Sequence, residues 1–434
     1  MEKLVIEGGR PLRGTVRVNG AKNAVLPLLA ATLLSEGRCV LRNVPDLFDV
    51  RTLLDILREV GLTAEWRGPG TVVTRVERHD CSVARYELVS KMRASIYVLG
   101  PLLARRGFAR VSLPGGCAFG LRPVDLHLKG LRALGAEIGL DHGDIVARAP
   151  GGRLRGARVF LGGPMGSSVG ATANTLMAAC LADGKSVIEG AACEPEIDEL
   201  AHFLNRMGAT IEGIGTPRLV ITGVPALGGA AAHVVPDRIE AGTFAIAAGL
   251  LPGSDVRIED LRVDHLSAVF DKLAEAGVEV TVEDESAVRV RRTGELRPVH
   301  VATLPYPAYP TDCQAQLVSM LSLARGISVV TEKIYPDRFH HLAELNRMGA
   351  DVQKEGPSAI IRGVDRLSGC DVEASDLRAA AALVIAGMAA EGKTTVHKLH
   401  HLDRGYERFE ERLQALGASI ERQGKQAAAA RAAA

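Results

Sequence analysis

The stretch PGGCAFGLRPVD, residues 114–125, sets Cys117 among glycines and five residues ahead of Arg122. Free cysteine usually packs as a small buried hydrophobe, and glycine neighbours bring no side chains with which to bury it. A thiol on so pliable a loop points to reactivity. Cations gather elsewhere in the chain. Lys22–Asn23, Arg93, Ser168, Asp237–Arg238, Asp312 and Arg378 stand at the starts of six apolar stretches that read as helices. A helix start presents free N–H groups and about half a positive charge, so a lysine or arginine there opposes the dipole. Lys22, Arg93 and Arg378 together imply that an anion arrives, the alternative being surface solvation. Arg122 in GLRPVD, Arg338 in YPDRF and Arg404 in LDRGYER occupy like positions in three later loops. Singly each reads as a solvated face or local ion pair; jointly they suit a polyanion. Asp312 in YPTDCQ, taken alone, reads as an N-cap. No P-loop, GxGxxG fingerprint, HExxH or Cys/His metal spacing occurs, so metal and nicotinamide chemistry find no support.

These residues are carried by a repeat. REVGLTAE, RALGAEI, NRMGATI, AEAGVEV, NRMGADV and QALGASI share a glycine between an amphipathic stretch and a strand-like one, at Gly61, Gly135, Gly208, Gly277, Gly349 and Gly417. Each glycine reads as a helix stop. Earlier in every unit lies a helix with almost no charge apart from its ends, such as KNAVLPLLAATLL or LRAAAALVIAGMAA. A helix apolar all round belongs inside a domain. Short β-branched runs such as TVRV, SVIEG, DVRIED and TTVHKL supply strands. Six units of about 70 residues therefore make a pseudo-symmetric α/β protein, and the charge-free helices favour closed domains over a solenoid. From the glycine ending the buried helix to the glycine ending the amphipathic one, five units take 23 to 25 residues. The second takes 28, from Gly107 to Gly135, and the surplus falls at PGGCAFG. Function tends to be grafted onto a scaffold through such an insertion.

The bulk numbers bound the partners. At 434 residues the chain exceeds a single growing core, so two or more domains are expected. A net charge of +1 gives no global attraction to nucleic acid or an anionic membrane. Seven cysteines without a CxxC pair fit a reducing compartment. The start MEKLVIEGG lacks the apolar core of a secretory signal, and the apolar runs are too short to span a bilayer. A cytoplasmic protein is expected, with residues 425–434 a low-complexity tail.

The motifs NGAKNAVLPLLAATLL, KMRAS, SLPGGCAFGLRPVDLH, SVGAT, VPDRIEAGTF, PTDCQAQ, DRFHH, SDLRAA and LDRGYER, nearly collinear from about Lys3 to Arg422, resemble the UDP-N-acetylglucosamine enolpyruvyl transferases of the EPSP synthase family. The resemblance implies two inside-out α/β barrel domains of three repeats each, the enolpyruvyl transferase fold. One would span 21–235 and carry the Cys117 loop; the other would join 1–20 to 236–424. It implies an addition–elimination that moves the enolpyruvyl group of phosphoenolpyruvate to the 3-hydroxyl of UDP-N-acetylglucosamine and releases phosphate, the first committed step of peptidoglycan synthesis. No cofactor, nucleic acid or membrane is implied, and the chain is expected to be a monomer.

Roles follow from the same resemblance. Cys117, Asp312, Lys22 and Arg404 would be catalytic. Lys22, Asn23, Arg122, Arg338, Arg378 and Arg404 would serve phosphoenolpyruvate. The sugar nucleotide would meet Asn23, Arg93, the segment Arg122, Pro123, Val124, Asp125 and Leu126, the turn Ser168, Val169 and Gly170, then Asp312 and Ile334. Cys117 would protonate the terminal methylene, and Asp312 would take a proton at the hydroxyl or at the ketal methyl. One departure stands out: the approach LGGPMGSSVGAT is longer and richer in glycine than the family pattern, with Gly166 nearest a usual lysine. A same-fold transferase with another acceptor, or a non-catalytic sugar-nucleotide-binding paralogue, are the competing readings.

Overall fold

The six glycines at 61, 135, 208, 277, 349 and 417 all stand at positive φ, between 87° and 107°, just past a helix. That left-handed conformation ends a helix at little steric cost only for glycine. The computed structural model describes residues 2–113 and 124–424. The chain divides into two compact units, Gly20–Val235, and Met1–Asn19 with Pro236–Ala434.

In the unit Gly20–Val235 the helices are α1 (Lys22–Ala31), α2 (Phe48–Glu59), the single turn α3 (Tyr86–Val89), α4 (Leu99–Arg106), α5 (Asp125–Ala133), α6 (Val169–Ala179) and α7 (Pro195–Arg206). The other unit contributes α8 (Arg238–Leu250), α9 (Ser267–Glu275), α10 (Gln314–Leu321), α11 (His341–Arg347), α12 (Leu377–Ala389) and α13 (Phe409–Ala415). Helices α8 and α10 are buried on every side apart from Arg238, and α1, α6 and α12 nearly so. The others bury one face, as α2 does through Val50, Leu53, Leu54 and Leu57.

Two of the apolar stretches differ from the uniform helices expected of them. MRASIYVLGPLLARRG begins as a 3-10 turn over Arg93–Val98 before α4, and PTDCQAQ begins with one over Thr311–Cys313 before α10. Pro101 accounts for the first case. Lacking an N–H, it is tolerated in the opening turn of an α-helix but not deeper, so α-geometry starts just before it.

Among the described residues six four-stranded sheets cover these helices, and all share one pattern. In one of them Ile327–Glu332 runs parallel to His300–Thr303 on one side and antiparallel to Ser358–Arg362 on the other, with Asp351–Glu355 outermost. Strand burial alternates, as in Asp255–Glu259, so the inner face seals the helices and the outer face meets water. Each unit therefore keeps its helices inside and its sheets outside. Sequence-distant ends close each ring. Ala231–His233 pairs with Cys39–Arg42 in one unit, and Lys3–Glu7 lies between Lys393–His397 and Ser419–Gln423 in the other.

Close helix contacts depend on small residues. Gly100 on α4 donates its N–H to Asn174 Oδ1 on α6 at 2.8 Å. A Cβ at position 100 would lie 2.4 Å from the Asn174 carbonyl oxygen. Backbone cannot yield as a side-chain end can. Gly100→Ala should cost about 1–3 kcal/mol by overpacking, lowering Tm by several degrees in a thermal melt. An unchanged Tm would show that α4 and α6 separate without cost.

Candidate active site

In the unit Gly20–Val235, the apolar sequence of α1 starts at the surface-seeking residue Lys22, which is nevertheless buried. Its Nζ lies 2.6 Å from Asp49 Oδ2, and Asp49 is only 1% exposed. Asp49 sits in the first turn of α2, where a carboxylate also suits the helix dipole. The expected arriving anion is thus preceded by an internal one. Asn23 follows on α1, partly exposed.

A second cluster in this unit forms where α5 and α6 begin. Ser168 caps α6, its Oγ accepting from the Ala171 N–H at 3.3 Å. The extra residues before it fold back on themselves: Gly163 and Gly166 exchange two backbone hydrogen bonds, at 2.8 and 3.0 Å, around Pro164–Met165. The unusual LGGPMG approach is therefore a closed side turn. Gly163 approaches Leu126, where an added Cβ would lie 3.2 Å from Leu126 Cδ1, and Gly170 lies against the His127 ring. Leu126, Ser168, Val169 and Gly170 are so brought together, while Asp125 opens α5 exposed and Val124 precedes it half-buried.

His127 did not emerge from the sequence as a site residue. It is 4% exposed, and Asn174 Nδ2 lies 2.8 Å from its Nδ1 while also donating to the Ile96 carbonyl at 3.0 Å. Burial, helped by the charge of Arg93, lowers its pKa to about 3. Arg93, at the start of the 3-10 turn, is therefore electrostatically coupled to this cluster. Cys117, Arg122 and Pro123 lie outside the described residues.

The other unit holds Asp312 between two guanidinium groups. Its Oδ1 accepts from Arg338 Nη1 at 2.7 Å and its Oδ2 from Arg378 Nη2 at 2.9 Å. Burial raises the pKa of this carboxyl, yet the charges of Arg378 and Arg338 outweigh it and hold the group well below the carboxylate range. Asp312 is no helix cap: it lies inside the 3-10 turn, and neither that turn nor α10 has a side-chain cap. The cap of α12 is Asp376, which accepts from the N–H groups of Arg378 and Ala379. Capping the backbone there leaves the Arg378 side chain to reach Asp312, with the Tyr406 ring 5.4 Å from its Cζ.

Glu332, fully buried, organises the same corner. It accepts from Thr303 and Thr311 hydroxyls at 2.6 and 2.8 Å and from the N–H groups of Ile334 and Tyr335 at 2.8 and 3.0 Å. Thr311 in turn accepts from Arg338 Nη1 at 3.0 Å. Ile334 is thereby fixed to the scaffold that holds Asp312. Arg404 ends the 3-10 turn Leu399–Arg404, half-buried and two residues before Tyr406. Tyr406 is itself locked by Thr243 Oγ1 at 2.8 Å and Gln316 Nε2 at 3.2 Å. Glu332 and Asp49 escaped the sequence reading because an isolated acid in an ordinary strand or helix carries no signal of its partner.

Residues 6–413 match the EPSP synthase (3-phosphoshikimate 1-carboxyvinyltransferase) family. The chain belongs to that family. Within the EPSP synthase family it is 54% identical over 423 residues to UDP-N-acetylglucosamine 1-carboxyvinyltransferase 2 of Carboxydothermus hydrogenoformans, covering 97% of this chain and 99% of that protein. It is 55% identical over 423 residues to the UDP-N-acetylglucosamine 1-carboxyvinyltransferase of Gluconacetobacter diazotrophicus, with the same coverage of both. Among solved structures, the enolpyruvyl transferase NikO from Streptomyces tendae superimposes with a TM-score of 0.87 at 27% identity, covering 97% of this chain and 99% of that one. EPSP synthase from Acinetobacter baumannii shares the fold, with a TM-score of 0.76 at 21% identity over 98% of this chain and 100% of that one. Like these family members the chain is built on the enolpyruvyl transferase fold. Among the described residues no helix is long and apolar enough to cross a membrane.

The buried imidazole gives a pH test. A histidine whose folded pKa lies near 3, against about 6.5 unfolded, favours folding in its neutral form. That contribution is full above pH 6.5 and lost as pH falls towards 3, because the unfolded chain binds the extra proton. Between these limits wild type should lose up to about 1.4 kcal/mol of stability per pH unit beyond His127→Gln. Parallel slopes in urea unfolding from pH 6.5 to 4.5 would show that His127 charges freely in the folded state.

Proposed function

We propose that this chain transfers the enolpyruvyl group of phosphoenolpyruvate to the 3-hydroxyl of UDP-N-acetylglucosamine and releases phosphate, the first committed step of peptidoglycan synthesis. The observation that carries this reading is identity above 50% over nearly the whole length of relatives named for that reaction. In the addition step the hydroxyl oxygen bonds to C2 of phosphoenolpyruvate, the methylene gains a proton and the hydroxyl loses one. In the elimination the C2–O bond to phosphate breaks with its electron pair, and the new methyl returns a proton to restore the double bond.

Cys117 is assigned as the acid at the methylene. A thiol with a pKa of about 8.5 stays protonated at neutrality and can donate. Lys22, Arg122 and Arg404 are assigned to the phosphate and carboxylate, with Asn23 beside them. Lys22 also stabilises the charge that concentrates in the tetrahedral intermediate. Arg93, Val124, Asp125, Leu126, Ser168, Val169, Gly170 and Ile334 are assigned to the nucleotide. At Ser168 the contribution rests on the lone pair and proton that capping leaves over.

Asp312 faces a constraint. Two arginines hold it so far below the usual carboxylate range that it is a weak base towards an unactivated alcohol. It suffices when C2 is becoming cationic, since the attacking hydroxyl is then turning acidic. Proton removal is therefore coupled to protonation at carbon, and Arg338 and Arg378 both fix Asp312 and serve the phosphate side.

Phosphate release tests the reaction. It should be fast from phosphoenolpyruvate with UDP-N-acetylglucosamine and near zero without it; nucleotide binding without release would make the chain a binding paralogue. In the same assay Asp312→Asn should lower kcat by roughly 10²–10⁴-fold while nucleotide affinity changes modestly, with Tm followed because two buried arginines lose their counter-charge. Near-normal turnover would leave Asp312 a counter-ion only.

The thiol is tested by a pair of variants. Cys117→Asp should retain turnover with its optimum moved to lower pH, and Cys117→Ser should be nearly inactive, because a hydroxyl is a poor proton donor. A phosphonate epoxide such as fosfomycin should inactivate wild type with time and spare Cys117→Asp. An inactive aspartate variant that still binds both substrates would overturn the acid assignment.

A further inference from the structure

At the far end of α8 from its capped start, an open groove of about 690 Å³ is lined by Arg13, Gly253, Asp255, Arg289, Arg291 and Arg292 among others. The length of α8, about 20 Å at 1.5 Å per residue, separates it from the helix starts where Asp237 and Arg238 lie. The lining carries four arginines and one carboxylate. That carboxylate is already engaged: Asp255 accepts from Arg289 at 2.6 and 3.3 Å and lies 3.3 Å from Arg291 Nε. Strand register explains the crowding, since Asp255 stands opposite Arg291 on one side and Arg13 on the other.

Arg13 and Arg292 are left over. Arg13, on the edge strand Arg13–Arg17, is exposed and has no ion pair among the described residues. Arg292 is 8% exposed, and its Nε and Nη1 are buried with no hydrogen-bond partner. Its backbone is fixed to the groove wall, the carbonyl accepting from Gly253 N–H at 3.0 Å and the N–H donating to the Ser254 carbonyl at 3.1 Å. A buried guanidinium without an anion is among the costlier arrangements in a folded chain. Burial pulls its pKa down, with only the charge of Glu295 acting against that, and Glu295 is largely exposed and paired with Arg325.

We propose that this groove is a second anion site, which takes a phosphate group of a soluble small molecule between Arg13 and the buried Arg292. A guanidinium presents paired N–H donors matched to phosphate oxygens. The recessed position of Arg292 favours a small ligand over a membrane surface, whose headgroups would meet Arg13 first.

Pyrophosphate is the probe, used on the full chain at fixed ionic strength. Equilibrium dialysis and thermal melts should show saturable binding and a rise in Tm for wild type. Arg13→Ala and Arg292→Met should each weaken this component at least tenfold, with turnover unchanged. Without probe, Arg292→Met should melt no lower than wild type, because it removes an uncompensated buried charge of similar volume. A residue needed only for packing would shift Tm down instead. Equal pyrophosphate affinity in wild type and Arg13→Ala would overturn the proposal, since all binding would then lie elsewhere. An equal Tm rise with chloride would overturn it too, as screening rather than a site. Sedimentation of wild type with phosphatidylglycerol vesicles, without pyrophosphate binding in solution, would overturn the assignment to a soluble ligand.

Discussion

Cations drawn in beside the buried apolar helices are held by carboxylates at ion-pair distance, and these pairs organise both units. Helix starts are electropositive, and a charge withdrawn from water into a largely apolar interior is costly unless it is paired. Lys22 is balanced by Asp49, while Arg378 and Arg338 are balanced by Asp312. Arg412 is balanced in the same way by buried Glu240, which also accepts from the Asn19 N–H at 2.9 Å. Each carboxylate is supplied by an element remote in sequence from its cation, so each pair forms only when its unit closes.

The same constraint makes these pairs suitable for handling an anionic ligand. A charge already held in place needs little reorganisation when a ligand joins it, which is the physical basis of electrostatic preorganisation. Buried pairs add little net stability, because desolvation offsets their attraction, but losing one partner is costly. The arginine pair on Asp312 is thus better understood as positioning than as stabilisation. Glu332 extends that positioning to backbone, fixing Ile334 and Tyr335 through their N–H groups and Arg338 through Thr311.

The repeated scaffold tolerates such local specialisation because its stability rests elsewhere. Alanine- and glycine-rich helices pack at short range inside each unit, and alternating strands seal them from water. Loops and helix starts can then differ from repeat to repeat. The turn closed by Gly163 and Gly166 is one example: extra residues fold onto themselves and leave Ser168 capping α6.

What the sequence alone determined is what depends on local periodicity and local chemistry. Six glycine stops, six apolar helices and the strands TVRV, SVIEG, DVRIED and TTVHKL follow from short-range rules, and the structure has all of them. Motif resemblance identified the family from short segments spread along the chain. Partnership was decided only by tertiary structure. Nothing in FDVRTLL marks Asp49 as the counter-ion of Lys22, and nothing in SVVTE marks Glu332 as the hub behind Ile334. His127 reads as one more residue of an amphipathic helix until Asn174 and Gly170 close around it. Asp312 looked like a cap because its neighbours in sequence allow one, yet two arginines 26 and 66 residues away claim its oxygens. Electrostatic partnership depends on distance in space and on burial, and a one-dimensional pattern records neither.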